Sequence, residues 1–195
     1  MHTEFSIKDG MLNPKKVVHK AIASGMKALA ITDATAMFGD VIFYKAASAA
    51  GIKPILGADC SITNHYNRDD YLRLLFLARN HQGYLTLCDL LSRAWLTNQY
   101  KDRGEVDLDW ITPEMADGLI VLSGFNTGAI GKAILNGSSS AAEQEARRLS
   151  QKFPHFFMEL QRVGRPNDEM LVAESVKLAK KLGLPVVATQ PIQFE

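Results

Sequence analysis

Apolar and polar positions alternate along this chain in blocks that switch repeatedly between helical and extended periodicity. Asn13-Pro14 reads as an N-cap followed by proline at the first helical position, and Val17, Val18, Ala21 and Ile22 then supply one apolar face before Gly25. The run Ala28-Leu29-Ala30-Ile31-Thr32 is continuously apolar, as expected of a strand covered on both faces, with Asp33 at its C-terminal end. The same pattern predicts a helix from Val41 to Ala50 closed by Gly51, then a buried strand at Pro54-Ile55-Leu56-Gly57-Ala58 that carries Asp59 at its end. Further strands are predicted at 72–78, 119–123, 156–160 and 185–189, and further helices at 84–95, 129–135, 140–152 and 168–182. The polar, aperiodic stretches 64–70 and 97–107 predict surface loops, and Gly137-Ser138-Ser139-Ser140 a helix-to-helix connection.

Alternation of strands and helices predicts an α/β domain with a parallel sheet. Because the sequence ends beside an apolar strand, the expectation is an incomplete barrel, with a complete small α/β domain as the alternative.

The 195 residues suit one domain with a substantial core. Lys and Arg number 22 against 21 Asp and Glu, so the net charge of +1 provides no general field for a nucleic-acid backbone or a membrane surface. Cys60 and Cys88 stand in no metal-binding spacing and signal no disulfide framework, which together suggest a reducing cytoplasm. No apolar segment approaches the roughly 20 residues needed to cross a bilayer, and the N-terminus lacks a secretion pattern.

In sheets of this class, chemistry concentrates at the C-terminal strand ends. The candidates there are Asp33, Asp59, Ser123, Gln161 and Gln190, joined by His2, Glu4 and Asp9 from the first residues. A cluster of divalent cations needs about four to six donors per ion. Only His2 of the five histidines falls near a predicted strand end. His19 lies in a helix, His65 and His81 in loops, and His155 just before a strand. There is no nucleophile elbow at Ser123-Gly124-Phe125, and Gly124, Gly128 and Gly131 match neither the dinucleotide nor the P-loop spacing.

Several blocks then carry a specific likeness. His2-Thr3-Glu4-Phe5-Ser6 with Asp9-Gly10, Gly25 to Asp33, Gly51 to Asp59, Asn80 to Leu87, Leu119 to Gly124, Phe156 to Gln161 and Gly183 to Thr189 follow one another in a fixed order. Together they resemble the polymerase-and-histidinol-phosphatase (PHP) domain family in the form found in bacterial DNA polymerase III alpha subunits. The resemblance spans essentially the whole chain. It implies a distorted seven-stranded (β/α) barrel of the PHP type whose last strand and helix would follow Glu195, with the polymerase palm, fingers and later modules outside residues 1–195.

The resemblance also marks departures from an intact metal site. His2, Asp9 and Asp33 match ligand positions, and Asp59 shortens the usual glutamate. Ala34, Arg73, Phe125, Val163, Pro191 and Gln193 stand where ligand side chains belong, so most donors are replaced. The implied site is vestigial, without metal or catalytic residues, and Arg73 is expected to supply a fixed positive charge to Asp33, Asp59 or both. The expected function is a scaffold within a DNA-directed DNA polymerase that docks the proofreading exonuclease (epsilon) subunit. Other polymerase III holoenzyme subunits and DNA would be reached through the longer protein, and magnesium would serve a polymerase site elsewhere. The alternatives are an active metal-dependent phosphoesterase or 3′-5′ exonuclease using His2, Asp9, Asp33 and Asp59, and the same domain in an error-prone polymerase.

Overall fold

The structure, a computed structural model, describes residues 1–6 and 9–194. Among these residues the elements run α1 (Pro14–Ala23), β1 (Ala28–Ala34), α2 (Asp40–Ala49), β2 (Lys53–Ile62), β3 (Leu72–Ala78) and α3 (His81–Thr97). A short ribbon, β4 (Gln99–Tyr100) and β5 (Arg103–Gly104), leads to α4 (Pro113–Asp117), β6 (Leu119–Leu122), α5 (Ala129–Leu135) and α6 (Ser139–Lys152). The chain continues through β7 (Phe156–Leu160), α7 (Asp168–Leu182) and β8 (Val186–Ala188). Two helix starts are visible in atomic detail, the predicted one of α1 and one of α3 that lies ahead of the predicted Tyr84. Asn13 accepts from the backbone N–H of Lys15 and Lys16, and Asn80 accepts from Gly83, so His81 begins α3 instead of lying in a loop.

Six strands form one curled sheet in the order β1-β2-β3-β6-β7-β8. It is not the all-parallel sheet that strand-helix alternation predicts, because β3 runs antiparallel to both β2 and β6. The pairing with β2 follows from the connection at residues 63–71, which contains no helix. A parallel crossover needs a dozen or more residues and usually a helix, whereas an antiparallel neighbour can be reached directly. With β3 alongside, β2 extends past Asp59 to Ile62, which pairs with Leu72, so Asp59 sits inside a strand and not at its end. The predicted loop at 97–107 likewise contains the β4–β5 ribbon, where Glu105 is buried between Arg68 and Arg103.

Period-two alternation divides the strands between two environments. Leu74, Phe76, Ala58, Cys60, Val121 and Met158 face outward into the main core beneath the helices, where Phe76 meets Phe153 edge-to-face at 5.9 Å. A second core joins α1, α2 and β1 through Val18, Ile31, Phe43 and Ala47. The alternate residues, including Ile55, Leu75, Leu77, Ile120 and Phe157, line the hollow of the curl. Close approach of α3 to the turn before β6 depends on Gly83, since a Cβ there would lie 1.8 Å from the Gly118 carbonyl oxygen.

The curl is bridged by the chain's first residues. Thr32 N–H donates to the Met1 carbonyl (3.0 Å), while His2 N–H donates to the Ile192 carbonyl (2.8 Å) and Met11 N–H to the Gln193 carbonyl (2.8 Å). Residues 1–3 therefore lie between β1 and the segment after β8. Among the described residues the sheet has six strands, and this extended segment bridges from β1 to the residues that follow β8.

Among the described residues, the Asp40 carboxyl is buried without a hydrogen-bond partner. Asp40, the first residue of α2, is 1% exposed, and neither carboxylate oxygen makes a hydrogen bond. Burial, with a smaller push from the Asp33 charge, raises it from the ordinary 3.8 to about 8. The folded state thus holds this proton more tightly than the unfolded state, so the Asp40 contribution to stability falls as pH rises from about 4 to about 8. Asp40→Asn is expected to be more stable than the parent at pH 8 by about 1–3 kcal/mol, with a smaller difference at pH 4.5. Urea denaturation at both pH values measures this, and an unchanged pH dependence would count against the assignment.

Candidate functional site

The polar residues of the hollow gather at one end, where the C-terminal ends of β1, β2, β6 and β7 meet the N-terminal end of β3. Because β3 is reversed, its second residue, Arg73, reaches the same rim as Asp59 and Glu159. Arg73, Leu75 and Leu77 share one face of β3, so the charged head caps a stripe that is otherwise aliphatic. The cavity behind this rim has a volume of about 710 Å³.

Arg73 is the hub. Its Nε donates to Asp59 Oδ1, its Nη1 donates to the Gly124 carbonyl (3.2 Å), and the same nitrogen lies 3.5 Å from Glu159 Oε2. Glu159 is almost fully buried. Its Oε2 accepts from Gly124 N–H (3.1 Å), and its Oε1 accepts from Gln161 Nε2 (2.9 Å) and Thr189 Oγ1 (2.5 Å). Gly124 adopts φ +81°, and an added Cβ would sit 2.2 Å from the Arg73 carbonyl oxygen, so this turn is open only to glycine. Through it, one peptide satisfies the carboxylate and the next carbonyl satisfies the guanidinium.

The second oxygen of Asp59 accepts from His2 Nε2 (3.1 Å), and His2 Nδ1 lies 2.9 Å from both oxygens of Asp9. Gln193 Nε2 also donates to Asp9 (2.9 Å). Burial pushes the Asp59 carboxyl up, but the Arg73 charge and the hydrogen bonds from His2 and Arg73 outweigh it and leave the group below the ordinary carboxylate value. Burial likewise lowers His2, yet Asp59 and Asp9 together leave it above 6.5. The stabilising effect of His2 is therefore complete below pH 6.5 and lost as pH rises through its raised value. That of Asp59 is present above pH 3.8 and lost as pH falls through its lowered one.

Asp33 belongs to a separate arrangement. It is fully buried and accepts from Thr3 N–H (2.5 Å), Thr3 Oγ1 (2.8 Å) and Ser6 Oγ (2.9 Å), while Ser6 Oγ accepts from Ala34 N–H (3.1 Å). Among the described residues the Arg73 guanidinium meets Asp59, Glu159 and the Gly124 carbonyl, and not Asp33. Ala34 and Phe125 offer no donor atoms, and Phe125 is buried in the turn after β6. Val163 uses its N–H on Asp168 (2.9 Å), and Pro191 lines the cavity beside Gln193. Glu4 faces away from the rim and accepts from Asn13.

Sequence reasoning from the residues alone passed over two members of this site. Glu159 lay inside the predicted strand Phe156 to Leu160, where a lone charge in an apolar run was the available signal. Arg73 stood at an N-terminal strand end, which a search of C-terminal ends does not reach. Elsewhere, His65, Asp107 and Asp109 each bring one donor atom within 4.8 Å of the others, although Asp107 already accepts from Asp109 N–H (3.0 Å).

Comparison with known proteins places these features. The PHP domain profile matches residues 1–163. The chain is 46% identical over 200 residues to a DNA polymerase III subunit alpha of Neisseria meningitidis serogroup B, and 40% identical over 195 residues to those of Pseudomonas aeruginosa and Escherichia coli K12. All of this chain is covered in each case, but it spans only 17%, 16% and 17% of those relatives' lengths. Among solved structures, an amidohydrolase from Chromobacterium violaceum with bound sulfate and no metal matches with TM-score 0.68 and 14% identity, over 98% of this chain and 85% of that one. A protein assigned as a metal-dependent phosphoesterase from Bifidobacterium adolescentis matches with TM-score 0.60 and 12% identity, over 96% and 84%. The two structures share the fold, a curled α/β sheet. The chain belongs to the PHP domain family, in the form found in DNA polymerase III alpha subunits.

Proposed function

We propose that this PHP domain is a non-catalytic scaffold of a longer, cytoplasmic DNA polymerase III alpha-type polypeptide. In this reading nucleotidyl transfer with magnesium is carried out by other parts of that polypeptide, which also hold the DNA, and a seventh barrel strand follows residue 195. The domain offers its surface to the proofreading exonuclease (epsilon) subunit and to other holoenzyme subunits. The observation that carries the reading is the Arg73 guanidinium seated against both Asp59 and Glu159.

The residues present do not fit a cluster of divalent cations. A cation at Asp59 would have to share the carboxylate with a fixed guanidinium about one ion-pair distance away, and like charges at such range repel strongly in a poorly solvated pocket. Asp33 already accepts three hydrogen bonds from Thr3 and Ser6, and Ala34 and Phe125 supply nothing. Arg73 thus holds the place of a metal charge, and His2 completes the neutralisation of Asp59 from the other side. Support for the polymerase context comes from the relatives, whose names are those of alpha subunits.

Three outcomes test this. Protein purified without chelator is expected to carry far less than one equivalent of zinc or manganese by elemental analysis, and to leave p-nitrophenyl phosphate unhydrolysed. Two tightly held ions with turnover would instead establish the phosphoesterase reading. Arg73→Met is expected to cost about 3–5 kcal/mol in urea denaturation, because two buried carboxylates lose their counter-charge. The double variant Arg73→Met/Asp59→Asn should recover part of that loss, and equal stabilities of single and double variants would argue against the charge-replacing role. Finally, the chain should co-elute with the exonuclease subunit of its own source in size-exclusion chromatography, and separate elution at micromolar concentrations would remove the docking role.

A further inference from the structure

The net charge of +1 conceals an uneven distribution. Between residues 11 and 58 stand Lys15, Lys16, Lys20, Lys27, Lys45 and Lys53, together with His19, against two acidic residues, Asp33 and Asp40. Both acids are buried. Asp33 is enclosed by Thr3 and Ser6, and Asp40 has its carboxyl raised to about 8 by burial, so neither offers the surface a negative charge. The six lysines are all exposed, and among the described residues none of them meets a carboxylate. Elsewhere on the surface Lys101, Lys132, Lys177 and Lys181 each reach one.

The fold brings these cations to one side. α1 and α2 pack together over β1 through the second core, and the groove between the two helices is bordered by Lys15 and His19 of α1 and Lys45 of α2. Small residues of α2, Ala46 and Ala49, line it beside them and leave the approach open. Lys16 and Lys20, one turn apart, form the adjoining stripe of α1, because Val17, Val18 and Ala21 take the opposite, buried face. At the far end of α1 the chain turns into β1. There Lys53 N–H donates to the Lys27 carbonyl (3.0 Å), so these two lysines stand together where β1 and β2 begin. The row therefore runs from the first turn of α1 to the strand starts, and α1 alone accounts for about 15 Å of it by helical rise. Glu4 is the one carboxylate among the lining residues of the groove, and it accepts from Asn13 Nδ2 (2.9 Å) at the helix start.

Charges of one sign within a Debye length of about 10 Å reinforce one another and attract a polyanion. The residue types narrow which one. Lysine meets phosphate as a point charge, and no arginine occurs between residues 11 and 58, so the face has no planar fork with which to read base edges. Phe5, the one aromatic ring among the lining residues, is half-buried against Gly39, which leaves no open ring of the kind that single strands stack on. A bilayer is disfavoured because the apolar face of α1 is spent in the second core. An acidic peptide in the groove would leave Lys20, Lys27 and Lys53 unused, whereas a duplex, with a phosphate on each strand about every 3.4 Å along its axis, follows the whole row. We propose that the α1–α2 side of this domain is a sequence-independent contact surface for the phosphate backbone of duplex DNA. This goes beyond the scaffold reading, in which other parts of the longer polypeptide hold the DNA, and gives the domain a share of that contact.

Fluorescence anisotropy of the full chain with a labelled mixed-sequence duplex of about 20 base pairs reads this contact. At about 50 mM salt the dissociation constant is expected in the micromolar range, and a plot of log affinity against log salt should have a slope of about −3 to −5. The triple variant Lys15→Gln/Lys16→Gln/Lys20→Gln should bind about tenfold more weakly and flatten that slope by about 2–3. Its urea midpoint should match the parent, because these side chains are exposed and unpaired. The control Lys177→Gln/Lys180→Gln/Lys181→Gln removes equal charge from α7 and should change affinity by less than about twofold. The proposal is overturned if no duplex binds below about 100 μM, or if the two triple variants lose affinity equally, which would make net charge the sole cause. It is also overturned if another probe at matched charge binds more tightly than the duplex. An oligothymidine strand doing so identifies single-stranded DNA as the ligand, poly-L-glutamate an acidic protein partner, and phosphatidylglycerol vesicles a membrane.

Discussion

Two carboxylates in a poorly solvated pocket require a compensating positive charge, and the way this chain provides it governs the geometry of the whole rim. Arg73 is suited to the task in a way that lysine is not. Its planar head can donate along one edge to Asp59 and turn another nitrogen toward Glu159 and the Gly124 carbonyl at once. The left-handed turn at Gly124 exists within this arrangement, presenting its N–H to the carboxylate and its carbonyl to the guanidinium. His2 and Asp9 then extend the same chain of alternating charges outward to Gln193.

The reversed direction of β3 is what allows a side chain from the beginning of a strand to meet side chains from the ends of others. Had 63–71 been a helical crossover, β3 would run parallel and Arg73 would lie at the opposite end of the hollow, among aliphatic residues. Topology and electrostatics are therefore not independent here. The helix-free connection selects an antiparallel pairing, the pairing selects the register Ser61 to Arg73, and the register brings the guanidinium to Asp59.

Most elements were legible in the sequence because helical caps and apolar runs are local signals. Asn13-Pro14 and the Gly183 terminus mark boundaries that the structure repeats, whereas α3 begins at His81 behind an Asn80 cap, ahead of the predicted start at Tyr84. What was not legible is what depends on distant partners. The run Phe156 to Leu160 is apolar but for Glu159, and it does not reveal which side of the sheet each residue faces, so that lone charge was a signal without a location. The direction of β3 was equally hidden, because Leu72 to Ala78 reads the same in either orientation. The resemblance to PHP domains supplied Arg73 as a position of interest, and geometry then supplied its two carboxylate contacts.

The bridging of the curl by residues 1–3 has a kinetic consequence. His2 is joined to Ile192 and Asp9 to Gln193, contacts separated by nearly the full length of the sequence. Such pairings raise contact order and carry the largest loop-closure entropy, so they form late. During synthesis, residues 1–3 would therefore be held by β1 alone until residues 192 and 193 had emerged and could close the other side of the bridge.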